Sequence, residues 1–306
     1  MKKILFTIIA LCSTLATGAQ NELQTAVLQH DSETKLFTGR NAFVNANAAA
    51  VDGDVITLSS GSFLVANITK SISLYGAGFE ENEETGTHIT AFSDVLKIGV
   101  SGETLANVHI EGILLNGISA VGPLDGLVLN KCGATSDITL VANSNTTISN
   151  CALYTLQSNS AVTTNCLIKN CHFKGVVYEF GGGSTITMDH CIALWYVGSF
   201  TCTNSIFIFS DAFSKTSGAT VTNCIVRNLE NNRPEDNTFT NCYVVGNSDI
   251  FTNNDTFELV NPELWVGTDG QEVGIRYGWS KVPSSVAVKN ATTTVSGNNL
   301  NVNYTK

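Results

Sequence analysis

Basic side chains are scarce. Sixteen lysines and arginines stand against 26 acids in 306 residues, and charged residues make up 14% of the chain, for a formal net charge of −10. A surface so poor in cations suits neither nucleic acid nor an anionic membrane, which are held mainly by clustered Lys and Arg. Cations and neutral glycans remain possible partners. Long apolar runs are missing after the first nineteen residues, so no membrane-spanning helix is expected there. The start itself, MKKILFTIIALCSTLATGAQ, places two lysines before an apolar run from Ile4 to Leu15 and ends in small residues. It is expected to be a secretory signal peptide, residues 1–19. The mature protein would then be exported to the periplasm, the cell surface or the medium. Helix formers are few outside residues 41–51. Asn, Thr, Ser and Gly instead separate short β-branched runs, the mark of an all-β chain with many turns.

One phrase recurs. Thr-Val-Thr-Asn-Cys at 220–224 has variants ending at Cys151, Cys166, Cys171, Cys191, Ser205 and Cys242. Cys171, Cys191, Ser205, Cys224 and Cys242 follow one another at gaps of 20, 14, 19 and 18 residues. A strand-rich unit with a period near 20 is a solenoid coil. The coil CHFKGVVYEFGGGSTITMDH, 171–190, divides into strands at Cys171–Phe173, Val176–Phe180 and Thr185–Met188. Turns fall at Lys174-Gly175, at Gly181-Gly182-Gly183 and at Asp189-His190. Side chains alternate along a strand, so Cys191 and Ala193 point in while Ile192 points out. Asn before Cys tolerates the left-handed backbone of a sharp corner. Stacking would align these amides in a column, where they can bond to one another.

Two other roles for the cysteines are weaker. No CxxC pair anchors a zinc site, and neighbours such as Cys171 and His172 face opposite sides of a strand. Stacked Cα atoms would lie about 4.8 Å apart, within disulfide range. Their Cβ vectors run parallel, however, so most thiols are expected to be free core fillers, with a bridge through Cys132 or Cys202 left open.

Residues 36–79 read LFTGRNAFVNANAAAVDGDVITLSSGSFLVANITKSISLYGAGF, and a Gly-Thr-Asp-Gly segment runs from Gly267 to Gly278. With the central repeats, they resemble the right-handed parallel β-helix, pectin-lyase-like secreted proteins of gut bacteria. The resemblance implies a single solenoid over 36–283, with a short capping helix (42–51) on one end. Residues 20–35 would be a poorly ordered lead-in, and 267–278 the closing segment. The tail 284–306, with Val286-Ala287-Val288 and Leu300-Asn301-Val302, would add two strands that close or flank the other end. Function does not follow, because the fold hosts lyases, hydrolases and adhesins.

In enzymes of this kind the substrate groove runs along one strand face. Here that face would carry the stretches 176–180, 194–198, 211–215, 228–230 and 249–251. They hold Tyr178, Glu179, Trp195, Tyr196, Asp211, Lys215 and Asp249, with Arg227 adjacent; these eight are the candidate glycan-binding residues. Aromatic rings stack on sugar C–H faces while carboxylates accept hydroxyl protons. Phe213, Glu230 and Phe251 lie in the same stretches. A hydrolase needs paired carboxylates, for which Asp211 with Glu179 or Asp249 is the best pairing. A lyase needs a base such as Lys174, Lys215 or Arg227. The Asn-Thr-Asp, Asp-Asp and Gly-His-Gly motifs that the family's hydrolases carry are absent. No cofactor is expected, save weak Ca²⁺ binding at the acid run Glu80-Glu81-Asn82-Glu83-Glu84. Outward Ile192, Leu194, Ile206, Ile208 and Ile225 form an apolar stripe that should not face water. The tail 284–306 or another subunit is expected to cover it, unless a one-residue slip turns it inward. The expected function is an exported, non-catalytic protein presenting a surface to glycan or a cell-surface partner. The alternatives are a degenerate polysaccharide lyase or glycoside hydrolase, and a structural or assembly subunit.

Overall fold

The computed structural model describes residues 24–81, 88–232 and 236–275, and the backbone of residues 290–296 and 299–305. The signal-peptide segment and Val286–Val288 lie outside the described residues, as do Asn82-Glu83-Glu84 of the acid run.

The chain winds into a parallel β-solenoid. Ten strands, from Val55–Leu58 to Thr238–Thr240, stack in parallel on its first face, with one register shift, between Tyr75 and Gly78. A second face runs from Gly61–Phe63 to Tyr243–Val244. Two shorter faces, Leu96–Ile98 through Leu156–Gln157 and Leu105–Ala106 through Thr163–Thr164, complete the early coils. Strands are brief because each face carries only two or three inward positions before the chain must turn. The strand expected at Val176–Phe180 shrinks to the single residue Val177, which bridges to Leu156 on one side and Val197 on the other. Glu179 is the reason: its φ of +65° turns the chain out of extended backbone.

The corner between the first and second faces is built as the repeat implied. Asn150, Asn170, Asn204, Asn223 and Asn241 all have φ between +50° and +54°, and His190 takes the same place at +51°. Asn is the L-residue best suited to that region. The side chains form a ladder. Asn150 Nδ2 donates to Asn130 Oδ1 (2.9 Å), and Asn170 Nδ2 donates to Asn150 Oδ1 (2.8 Å). A second corner repeats the device, with Asn165 Nδ2 donating to Asn145 Oδ1 at 2.6 Å.

The next residue points inward. Cys132, Cys151, Cys171, Cys191 and Cys224 are fully buried thiols, and Ser205 takes the same position. All eight described cysteines are free, so the bridge considered at Cys132 or Cys202 is not formed. The thiols hydrogen-bond instead to backbone carbonyls, as Cys171 Sγ does to Lys169 O at 3.2 Å. Burial pushes the Cys166 thiol up to about 12 and raises those of Cys202 and Cys224 as well. Such thiols are poor nucleophiles and serve as small core residues.

The N-terminal end is closed more thoroughly than expected. Residues 24–35 are not a disordered lead-in: Thr25–His30 and Glu33–Thr38 form an antiparallel hairpin, and its first strand pairs with Val55–Leu58. The alternation in Ala26-Val27-Leu28 was too short to stand out in the sequence. Helix α1, Ala42–Ala49, covers the core with Ala42, Phe43 and Ala46. Lys70 Nζ caps its C-terminal carbonyls, reaching Asn47, Ala48 and Ala50 at 3.1, 3.2 and 2.5 Å, where a cation is favoured by the helix dipole.

Two consequences are measurable. Asn170→Ala should lower stability by about 1–3 kcal/mol, combining left-handed strain with a lost ladder bond. Asn170→Gly, which relieves the strain, should cost less; denaturant unfolding compares the two. His30 Nδ1 lies 2.7 Å from Asp54 Oδ1, joining the hairpin to the first coil. That hydrogen bond and the Asp54 charge raise the His30 pKa. The contact therefore stabilises fully below the ordinary histidine value of about 6.5 and is lost as pH rises through the higher folded-state value. An NMR titration of His30 should give a midpoint above about 6.5, and Asp54→Asn should bring it down.

Candidate functional site

The outer surface of the second face is not bare. Ile192, Ile206 and Ile225 are wholly buried beneath Ile250, Leu259, Trp265 and Val273, and Leu194 and Ile208 pack at the margin. The one-residue slip therefore does not occur, and neither the tail nor a second subunit is needed as cover. Residues 250–275 of the same chain do the work, beginning with the short antiparallel pair Phe251–Asn253 and Glu258–Leu259. Burying one Ile is worth about 1.5–3 kcal/mol, so three exposed ones would be a heavy burden. The three central isoleucines of this stripe are therefore covered within their own chain and are not a free face for a second copy.

The Gly-Thr-Asp-Gly segment anchors this cover along the side of the solenoid rather than at its end. Asn204 is its socket. Thr268 N donates to Asn204 Oδ1 (2.8 Å), and Gly274 N donates to Asn204 O (2.7 Å). A Cβ at Gly274 would meet Ile206 Cδ1 at 2.5 Å, which explains the glycine. Asn204 Nδ2 also donates to Asp189 Oδ1 (2.9 Å), as does Thr203 Oγ1 at the same distance. Buried His190 stands between Asp189 (Nδ1, 2.9 Å) and Asp269 (Nε2, 3.6 Å). Burial opposes charge on Asp189, but its hydrogen bonds from His190 and Asn204 hold it well below the usual carboxylate range. Asp189-His190 is thus a corner of the ladder and an anchor for the cover.

Beyond the cover, where the chain leaves the second face toward the bridged residues Val177 and Val197, lie the aromatic candidates. His172 pairs with Ile192 and Val177 with Val197, so the common offset sets Gly175 beside Trp195. On the other side Ile192 pairs with Ile206, which sets Phe209 beside Trp195. Trp195 is 47% exposed, and its ring lies 5.1 Å from that of Phe209. Tyr196 meets the same Phe209 edge-on at 4.9 Å. Lys215 Nζ sits over the Tyr196 ring, 4.0 Å from its centre. Together they form a supported, open aromatic ledge with one cation. The sequence reading did not include Phe209; the gap of fourteen residues from Cys191 to Ser205, which sets Phe209 opposite Trp195, is the signal that could have found it.

The remaining candidates are less free to act. Tyr178 donates from its hydroxyl to Glu179 Oε1 at 2.7 Å, a bond that raises its pKa. Asp211 accepts from Asn231 Nδ2 at 2.7 Å. Arg227 is a staple: Nε donates to Ile208 O and Nη1 to Gly246 O and Ser248 O. Asp249 is exposed, whereas Phe213 belongs to the core. Among the described residues no three His, Cys, Asp or Glu side chains form a metal-holding group. No helix among them is long and apolar enough to cross a membrane. No family model matches the chain, and no curated protein matches it in sequence.

Arg227→Ala should lower stability by about 1–3 kcal/mol, because three carbonyls lose a charged donor. Arg227→Lys should recover only part, since one ammonium cannot reproduce the fork. Thermal unfolding of the two variants provides the comparison.

Proposed function

We propose that this is an exported β-helix protein of the pectin-lyase-like kind that presents a rigid glycan-binding surface and does not itself cleave the glycan. The observation that carries the reading is the ledge: an exposed tryptophan held by Phe209, beside a tyrosine held by Phe209 and Lys215. A ring fixed in advance loses little freedom when a sugar stacks on it. The solenoid backbone beneath supplies that rigidity, with coils about 4.8 Å apart. The binding-only reading is favoured by how the acid and base candidates are engaged. Glu179 accepts from Tyr178, Asp211 from Asn231, and Arg227 is bonded to three carbonyls. The chain's negative charge disfavours strongly anionic glycans except where Lys215 can answer them.

The test is affinity electrophoresis of residues 20–306 through gels containing a panel of neutral and uronic-acid polysaccharides. Retardation by at least one polysaccharide is expected. Trp195→Ala with Tyr196→Ala should weaken it tenfold or more, about 1.4 kcal/mol, with the unfolding midpoint nearly unchanged. Undiminished binding by that double variant would remove the ledge from the site. Release of unsaturated uronate, followed by its ultraviolet absorbance, would establish a lyase instead.

A further inference from the structure

Exposed aromatic rings recur along the axis of the solenoid. Tyr154 is 48% exposed, as open as Trp195 at 47%, and it lies two coils earlier. Leu153 pairs with Phe173, and Phe173 with Ala193. The common offset sets Tyr154 beside Lys174, and Lys174 beside Leu194, the neighbour of Trp195. Gly175 N donates to Tyr154 O at 2.7 Å, which holds the first of these steps. The coil between the two rings therefore presents exposed Lys174 and then Gly175, and no aromatic ring at that level. In the coil after Trp195, exposed Lys215 stands over Tyr196. From Tyr154 onward, successive coils thus offer a ring, a cation, a ring and a cation.

The spacing gives this order a meaning. Coils stack at about 4.8 Å, so like groups recur every two coils, about 10 Å apart. The sugars of an extended polysaccharide follow one another at nearly the coil interval. A chain laid along the axis would therefore meet one coil per sugar. Alternate sugars would stack on Tyr154 and Trp195, and those between would lie at Lys174 and Lys215. A ring takes the C–H face of a sugar, whereas an ammonium group takes a carboxylate.

We propose that the ledge is one part of a strip along the solenoid axis that holds an extended polysaccharide in which a uronic acid alternates with an uncharged sugar. The proposal rests on the glycan-binding reading and adds a direction, two residues (Tyr154 and Lys174) and a chemical class. The acids on the same coils, Glu179 and Asp211, are engaged by Tyr178 and Asn231, which leaves the two lysines to meet the ligand's charge. A polysaccharide with a carboxylate on every sugar fits less well. Half of its charges would lie over rings with no cation beside them, on a chain of net charge −10. A wholly neutral polysaccharide would leave both lysines without a partner.

Affinity electrophoresis of residues 20–306 tests this with three polymers: hyaluronan, which alternates glucuronate and N-acetylglucosamine; polygalacturonate; and neutral hydroxyethylcellulose. Hyaluronan should retard the protein most, and less so as salt rises. Lys174→Gln and Lys215→Gln should each weaken hyaluronan binding about threefold, the scale of an exposed ion pair. Tyr154→Ala should weaken it about fivefold through lost stacking. Lys97→Gln, an exposed lysine on another face, should change nothing. All of these side chains are exposed, so the unfolding midpoints should stay together. Loss of binding in Trp195→Ala with Tyr196→Ala, but none in Tyr154→Ala or Lys174→Gln, would overturn the strip and leave the ledge standing. Stronger binding of polygalacturonate or hydroxyethylcellulose than of hyaluronan would overturn the alternating class. An equal loss in Lys97→Gln would reduce the effect to net charge and overturn the strip as well. No retardation by any polysaccharide would overturn the glycan reading itself, and the strip with it.

Discussion

Everything in this fold depends on a left-handed corner repeated at the same place in coil after coil. Asn150, Asn170, Asn204, Asn223 and Asn241 turn the chain from the first face to the second at φ near +52°, with Lys131 and His190 standing in at two coils. The turn sets the direction of the strands on either side. It also fixes that the next residue points inward, which is why a small thiol or hydroxyl always follows. Amide-to-amide bonds between coils then hold the corners in register. Because parallel pairing has a side-chain period of two, a slip of one residue would expose the core; the ladder makes that slip costly.

The substitution at His190 has consequences. A histidine in an asparagine's place brings a ring into a buried corner, and Asp189 binds it from one side. Asp269, on the lateral cover, approaches from the other. The same Asp189 draws in Thr203 and Asn204, and Asn204 holds Thr268. Local corner chemistry thus becomes the fastening of residues 250–275. That cover in turn makes three isoleucines on the outer surface of the second face acceptable. A solenoid normally needs covers at its ends; this one also carries a second small core along its flank.

The ledge belongs to a different layer of the design. Trp195, Tyr196 and Phe209 meet because consecutive coils differ in length, and a gap of fourteen residues brings Phe209 beside Trp195. No single strand encodes the contact. Arg227 shows the reverse: a cation that looked available for ligand is spent on tying three carbonyls of two coils and a loop. Binding surfaces on a rigid stack are made from side chains that packing does not already employ.

The all-β solenoid, its period, the inward cysteines and the asparagine column were legible in the sequence, since each follows from local geometry: a strand alternates, a corner needs a left-handed residue, and a repeat stacks. Helix α1 was legible from its alanines. The eight candidate binding residues were read from the repeat as lying along one strand face, but their partners could not be read. Whether Arg227 faces a ligand or a carbonyl is decided by residues nineteen to twenty-one positions away, in neighbouring coils. The outward isoleucines looked like a site for another subunit because their cover lies up to eighty residues downstream, with no repeat to announce it. Periodic local rules made the stack; only the tertiary structure decided which parts of its surface remain for another molecule, because that depends on contacts between segments whose separation carries no period.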